Sequence, residues 1–168
     1  MALSAYTKTV WVSGSAPAVD KDTLDNLEDQ VFDLTENHLA AVADFIAAIE
    51  TTVSTSYVDL ATPGPAVTVL TGTKAIVLIG AQIDNTSANV SLMSVAVSGA
   101  TTVAADDAHS ALTELSVGDG VMFSHAITFG MGGVLPALTP GTNTFTAKYR
   151  VVAGTGRWLR RHLVVILP

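Results

Sequence analysis

The chain has 168 residues, 49% of them hydrophobic and 14% charged, with a formal net charge of −7. That length suits one domain with an appendage, and the acidic balance argues against nucleic-acid binding, which needs a basic footprint for phosphate contacts. There is no cysteine, which excludes disulfides and thiolate metal sites.

So few charges on so small a protein predict that much of its surface is covered by other subunits. The charges are also segregated. Asp20 to Glu50 carries nine acidic residues and one lysine, whereas five of the eight basic residues fall between Lys148 and Arg161. No basic segment followed by an apolar run marks the N-terminus, and the longest apolar run, Ala75 to Ala81, is too short to span a bilayer. The expectation is a protein made in the cytoplasm, with no membrane association, that leaves the cell as part of a particle if it leaves at all.

Residues 1–19 read as an anchor or adaptor. Tyr6, Trp11, Gly14 and Pro17 stand among small residues, in a stretch with no core of its own. Large aromatics are favoured interface anchors, so Trp11 either grips a partner or packs on the base of the element that follows.

Residues 20–55 are predicted to form one long amphipathic oligomerisation helix. Asp20 is the expected N-cap, with Asp22 and Asp25 at the positive end of the helix dipole and Val19 and Leu24 spaced as a hydrophobic staple. Leu24, Leu27, Val31 and Leu34 step by three and four, and Val42, Phe45 and Ile49 resume that rhythm. The stripe is narrow, as in a coiled coil, and the step through His38 is a stutter that unwinds it locally. His38 is the polar residue in this seam, either setting register or forming a pH-sensitive layer at the axis. The seam is read as that of a parallel trimer. The helix fades in the β-branched, hydroxyl-rich run Thr51 to Ser56.

Residues 56–168 are predicted to form an antiparallel β-sandwich head. Pro63-Gly64-Pro65 precedes an alternating Val67 to Leu70. Lys74 to Ile83 is nearly all apolar, so both of its faces should be buried. Val90 to Val97 alternates, with Met93, Val95 and Val97 on one face; Thr101 to Ala111 is a loop or short edge strand. Val121 to Phe129, Thr144 to Val152 and Trp158 to Leu167 complete about eight strands separated by glycine or proline turns. That spacing fits a sandwich or jelly roll. The fold class is thus mainly β with one long N-terminal helix: a jelly-roll head on a coiled-coil stalk.

Chemistry is sparse. His38, His109, His125 and His162 form no HxH or HxxxH pair, so no metal ligands are assigned. Asp106-Asp107 with His109 is the densest polar cluster and reads as a solvated loop sooner than a hard-cation site. No P-loop, dinucleotide-binding or GxSxG spacing occurs, so no cofactor and no catalytic residue is assigned. Arg157, Arg160 and Arg161 suit ion pairs between subunits or capture of a carboxylate. Gly130 to Gly133 suits a tight corner.

Tyr6-Thr7-Lys8, then Trp11, Gly14 and Pro17, then Leu24, Leu27 and Glu28, resemble the N-terminus of tailed-bacteriophage virion surface proteins. Thr23 and Asp25 stand where the common form has asparagines. Tyr57 to Pro65, Val97 to Ala100 and Asn143 to Arg150 resemble the trimeric jelly-roll heads of phage fibres and decoration proteins, akin to the tumour-necrosis-factor and C1q folds. The resemblance implies a homotrimeric, non-enzymatic virion protein, docked through its N-terminal segment on the major capsid protein or another virion protein. The short stalk favours the capsid surface; the alternative is a short tail fibre that binds a host surface glycan.

Overall fold

The computed structural model describes residues 40–116, 118, 120–133 and 135–168. Nine strands lie among them: β1 Ala40–Ile46, β2 Glu50–Thr52, β3 Ala66–Thr71, β4 Ala75–Asn85, β5 Ser91–Gly99, β6 Ser110–Thr113, β7 Val121–Phe129, β8 Gly141–Val151 and β9 Gly156–Leu167. They build two antiparallel sheets. The first runs β1-β9-β4-β7, with β2 also on β9, and the second runs β3-β8-β5-β6. The chain crosses repeatedly between the sheets, which makes the sandwich a jelly roll.

Period-two alternation decides what is inside. β4 sends in Val77, Ile79, Ala81 and Ile83; β5 Met93, Val95 and Val97; β8 Phe145, Ala147, Tyr149 and Val151, all buried. Phe129 meets Phe145 edge-on with ring centroids 5.7 Å apart, and Tyr149 meets Trp158 at 5.3 Å, geometries that aromatic quadrupoles favour.

β9 contains the one parity change that matters. Trp158, Leu163 and Val165 are all buried, although 158 is even and the others odd. A bulge reconciles them: the β4–β9 register shifts between Gly80 and Gln82, and Arg160 adopts a left-handed φ of 54°. The extra residue turns Arg161 into the core and His162 out of it.

The expected long helix is not found among the described residues. Ala40–Ile46 is strand β1, and Glu50–Thr52 pairs antiparallel with Gly156–Trp158. Val42, Phe45 and Ile49 therefore lie on or beside a strand, 41%, 58% and 55% exposed, and are not a helical seam. Helix propensity loses here to tertiary partners. β9 offers an open edge, the Asp44 carboxylate accepts the Ala66 N–H at 2.9 Å, and Glu50 accepts from Arg161 at 2.9 Å. The segment expected as helix up to residue 39, with Leu24, Leu27, Val31, Leu34 and His38, lies outside the described residues, as do Tyr6, Trp11 and Pro17.

Candidate functional site

The two sheets present outer faces of opposite character. On the second sheet, β8 turns out Thr142, Thr144, Thr146, Lys148 and Arg150, and β3 adds Thr68, whose hydroxyl lies 2.8 Å from that of Thr144. Its apolar side chains include Leu70 and Leu112, exposed on the edge strands, and Leu92 and Ala96 on β5. This is a face made for water.

The first sheet turns out apolar side chains. Register sets Ile76 beside Ile166 and Thr128, Leu78 beside Val164 and Ala126, and Gln82 beside Leu159 and Met122. Asp44 reaches to the second sheet, so alternation puts Phe45 of β1 on this outer face. Charge enters at one end, where Arg157 and Asp84 approach to 3.4 Å, and at the bulge, where Arg160 is exposed. The continuous apolar run in β4 predicts burial on both faces. The sandwich core covers one, and Ile76 and Leu78 on the other remain half-exposed. The same holds for Leu163 to Leu167, apolar at both parities. That doubled parity is the sequence signal for this face.

Gly80 and His162 occupy the centre of the face. They are register partners, and a Cβ on Gly80 would fall 2.4 Å from His162 Cε1 and 2.3 Å from the Phe123 carbonyl oxygen. The missing side chain is what lets the imidazole lie down on the sheet. Its Nε2 is 3.5 Å from Ser124 Oγ, on the far side of Gly80.

Two of the three arginines expected to pair between subunits have partners within the chain, Arg157 with Asp84 and Arg161 with Glu50, while Arg160 is exposed. Arg161 is fully buried; it donates to Glu50 Oε2 at 2.9 Å and to the Thr62 and Gly64 carbonyls at 3.2 Å each, and its guanidinium lies 5.5 Å from the Tyr149 ring centroid. Tyr149 Oη donates to the same Gly64 carbonyl at 2.8 Å. Burial pushes the Glu50 carboxyl up, but the Thr62 hydroxyl and N–H and the Arg161 charge outweigh it and hold it below the usual range. Burial dominates at Tyr149 and raises its phenol. This clamp ties β2 and the loop before β3 onto β9.

The Asp106-Asp107-His109 cluster has structural duties. Asp107 takes a two-pronged guanidinium contact from Arg150 and the Tyr57 hydroxyl at 2.9 Å. Arg150 holds the Asp107 carboxyl low, and burial pushes the Tyr57 phenol up to about 12. Asp106 caps the short 3-10 turn Asp107–His109. His109 turns inward, its Nε2 3.3 Å from the Val95 carbonyl oxygen. With His125 it lines a cleft of about 220 Å³ whose walls also include Ala108, Ala126, Ile127 and Leu135. Among the described residues, no group of three or more His, Asp or Glu could hold a metal. Gly130 and Gly132 take positive φ, and a Cβ on Gly130 would strike the Thr73 carbonyl oxygen at 2.4 Å, so this glycine cluster is a tight corner.

No protein-family model and no curated protein matches the chain. Among solved structures, it is similar to Eiger TNF from S. frugiperda, with 11% identity and a TM-score of 0.48 over 77% of this chain and 92% of that one. The jelly-roll assignment rests on the strand order of this chain itself.

Proposed function

We propose that this chain is a structural protein displayed on the surface of a bacteriophage particle as a homotrimer, decorating or reinforcing the capsid through its N-terminal segment. The observation that carries the oligomer is the contrast between the two outer faces: a threonine-rich face suited to water and an apolar face suited to another copy of the chain. The virion placement is supported by the Tyr6-Thr7-Lys8, Trp11, Gly14, Pro17 pattern.

The first test is sedimentation of the full chain. The wild type should run as a trimer, and Ala126→Arg should run as a folded monomer. Ala126 is exposed beside Leu78, so the long cation blocks docking without disturbing the core. A monomeric wild type would refute the oligomer. The second test is antibody labelling of intact particles: label over heads supports capsid decoration, label at tails supports a glycan-binding fibre, and unlabelled particles refute the virion placement.

A further inference from the structure

We infer that His162 makes assembly through the apolar face reversible by acid, so that the subunits associate at neutral pH and separate in acid. The inference rests on the proposed interface and adds a regulator to it.

The argument is one of placement. His162 is the titratable group at the centre of a face whose neighbouring rows are Ile76, Ile166, Leu78 and Val164 on one side and Gln82 and Leu159 on the other. From β4 the ring faces Gly80, and from β7 it faces Ser124 Oγ, both uncharged. β1 carries Asp44, but that carboxylate accepts from the Ala66 and Phe45 N–H groups and points to the second sheet. On β9 the adjacent Arg161 turns into the core, where it occupies the Glu50 carboxylate of β2, and Arg160, two residues away, has the same sign as an imidazolium. Asp84 is engaged by Arg157 at the end of the face. His125, register partner of Ile79, turns to the opposite side and lines the cleft. Among the described residues, then, no carboxylate stands by to receive a protonated His162.

Covering this face with another copy desolvates the ring. Neutral imidazole tolerates that, given Ser124 as a partner. Imidazolium does not, because a buried charge needs a counter-charge. A subunit whose His162 carries a proton must therefore shed it to assemble, so assembly weakens as pH falls. In a trimer up to three protons are shed, so the association constant should fall by up to about a thousandfold per pH unit in acid.

The experiment is sedimentation equilibrium of the full chain between pH 8 and pH 5, for the wild type and for His162→Gln. The expected result is a wild type assembled at pH 8 and dissociated at pH 5, with a limiting slope near three protons, and a variant assembled throughout. A wild type assembled at both ends with zero slope overturns the inference and leaves the interface standing. So does a variant that dissociates along the wild-type curve. A wild type monomeric at pH 8 overturns both. Should His162→Gln fail to assemble at pH 8, the wild-type slope decides, with His125→Gln and His109→Gln as variants whose curves should stay close to wild type.

Discussion

Glu50 and Asp107 each meet an arginine, yet the two pairs should differ severalfold in what they contribute. The Arg161 side chain is wholly buried and Glu50 is 12% exposed, whereas Asp107 is 54% exposed. Removing one partner of a buried pair strands the other charge and costs about 3 kcal/mol or more, while an exposed pair contributes at most about 1 kcal/mol. Glu50→Gln should thus lower the urea-unfolding free energy by about 3 kcal/mol and Asp107→Asn by about 0.5 kcal/mol. The acid limb carries the same signature. The Glu50 carboxyl is held low by the fold, so its stabilisation is complete above the unfolded value of about 4.3 and is lost as pH falls through the lower, folded value. Stability measured from pH 6 down to pH 3 should fall steeply for the wild type below about pH 4 and less steeply for Glu50→Gln. Equal slopes would mean that Glu50 is not the group that titrates.

The bulge in β9 is where a single residue decides the fate of a whole element. Keeping every residue but forcing strict alternation would set Leu163 and Val165 outside if Trp158 stayed inside, whereas deleting Arg160 removes the odd residue and leaves all three on one face in a single register with β4. The deletion should therefore keep a cooperative thermal transition by circular dichroism, and loss of that transition would show that β9 needs the bulge for more than parity. Arg160→Asn, which tolerates left-handed φ, should change stability by less than about 0.5 kcal/mol, and Arg160→Ile, β-branched, should cost about 1–2 kcal/mol. If Ile proved as stable as Asn, the bulge would not depend on that conformation. Element by element, the sequence was legible wherever alternation and turn residues agreed, as in β3 to β5 and β7 to β9. The bulge was not, because the parity change falls on Arg160-Arg161-His162, three consecutive polar residues that mark neither face, and is followed by a run apolar at both parities. β1 was misread because Ala40 to Ile49 is alanine-rich and its apolar side chains also sit three and four apart. Only the open edge of β9 and the partners of Asp44 and Glu50, all distant in sequence, make it a strand. The outer face of the first sheet was half legible: its residues were expected to be buried, but the domain has nothing among the described residues that covers them.

At the scale of the whole molecule, the proposed trimer makes the low charge and the apolar outer face one requirement, that folding be completed by association. Charged residues make up 14% of the chain, and among the described residues the face between Ile76 and Gln82 carries Arg160 at the bulge and is otherwise uncharged. A subunit that folds by itself has a melting temperature independent of its concentration. One that folds into a trimer gains stability by mass action, about 0.9 kcal/mol per subunit for each tenfold rise in concentration. For a domain of this size that is a rise of about 3 °C per decade. Thermal melts of the wild type over two decades at neutral pH should show that slope. Ala126→Arg should melt lower than the wild type and at a temperature that no longer moves with concentration, because its sandwich core is untouched while its docking face is blocked. A flat wild-type line would place the whole stability of the fold inside one chain, and the apolar face would then need another occupant.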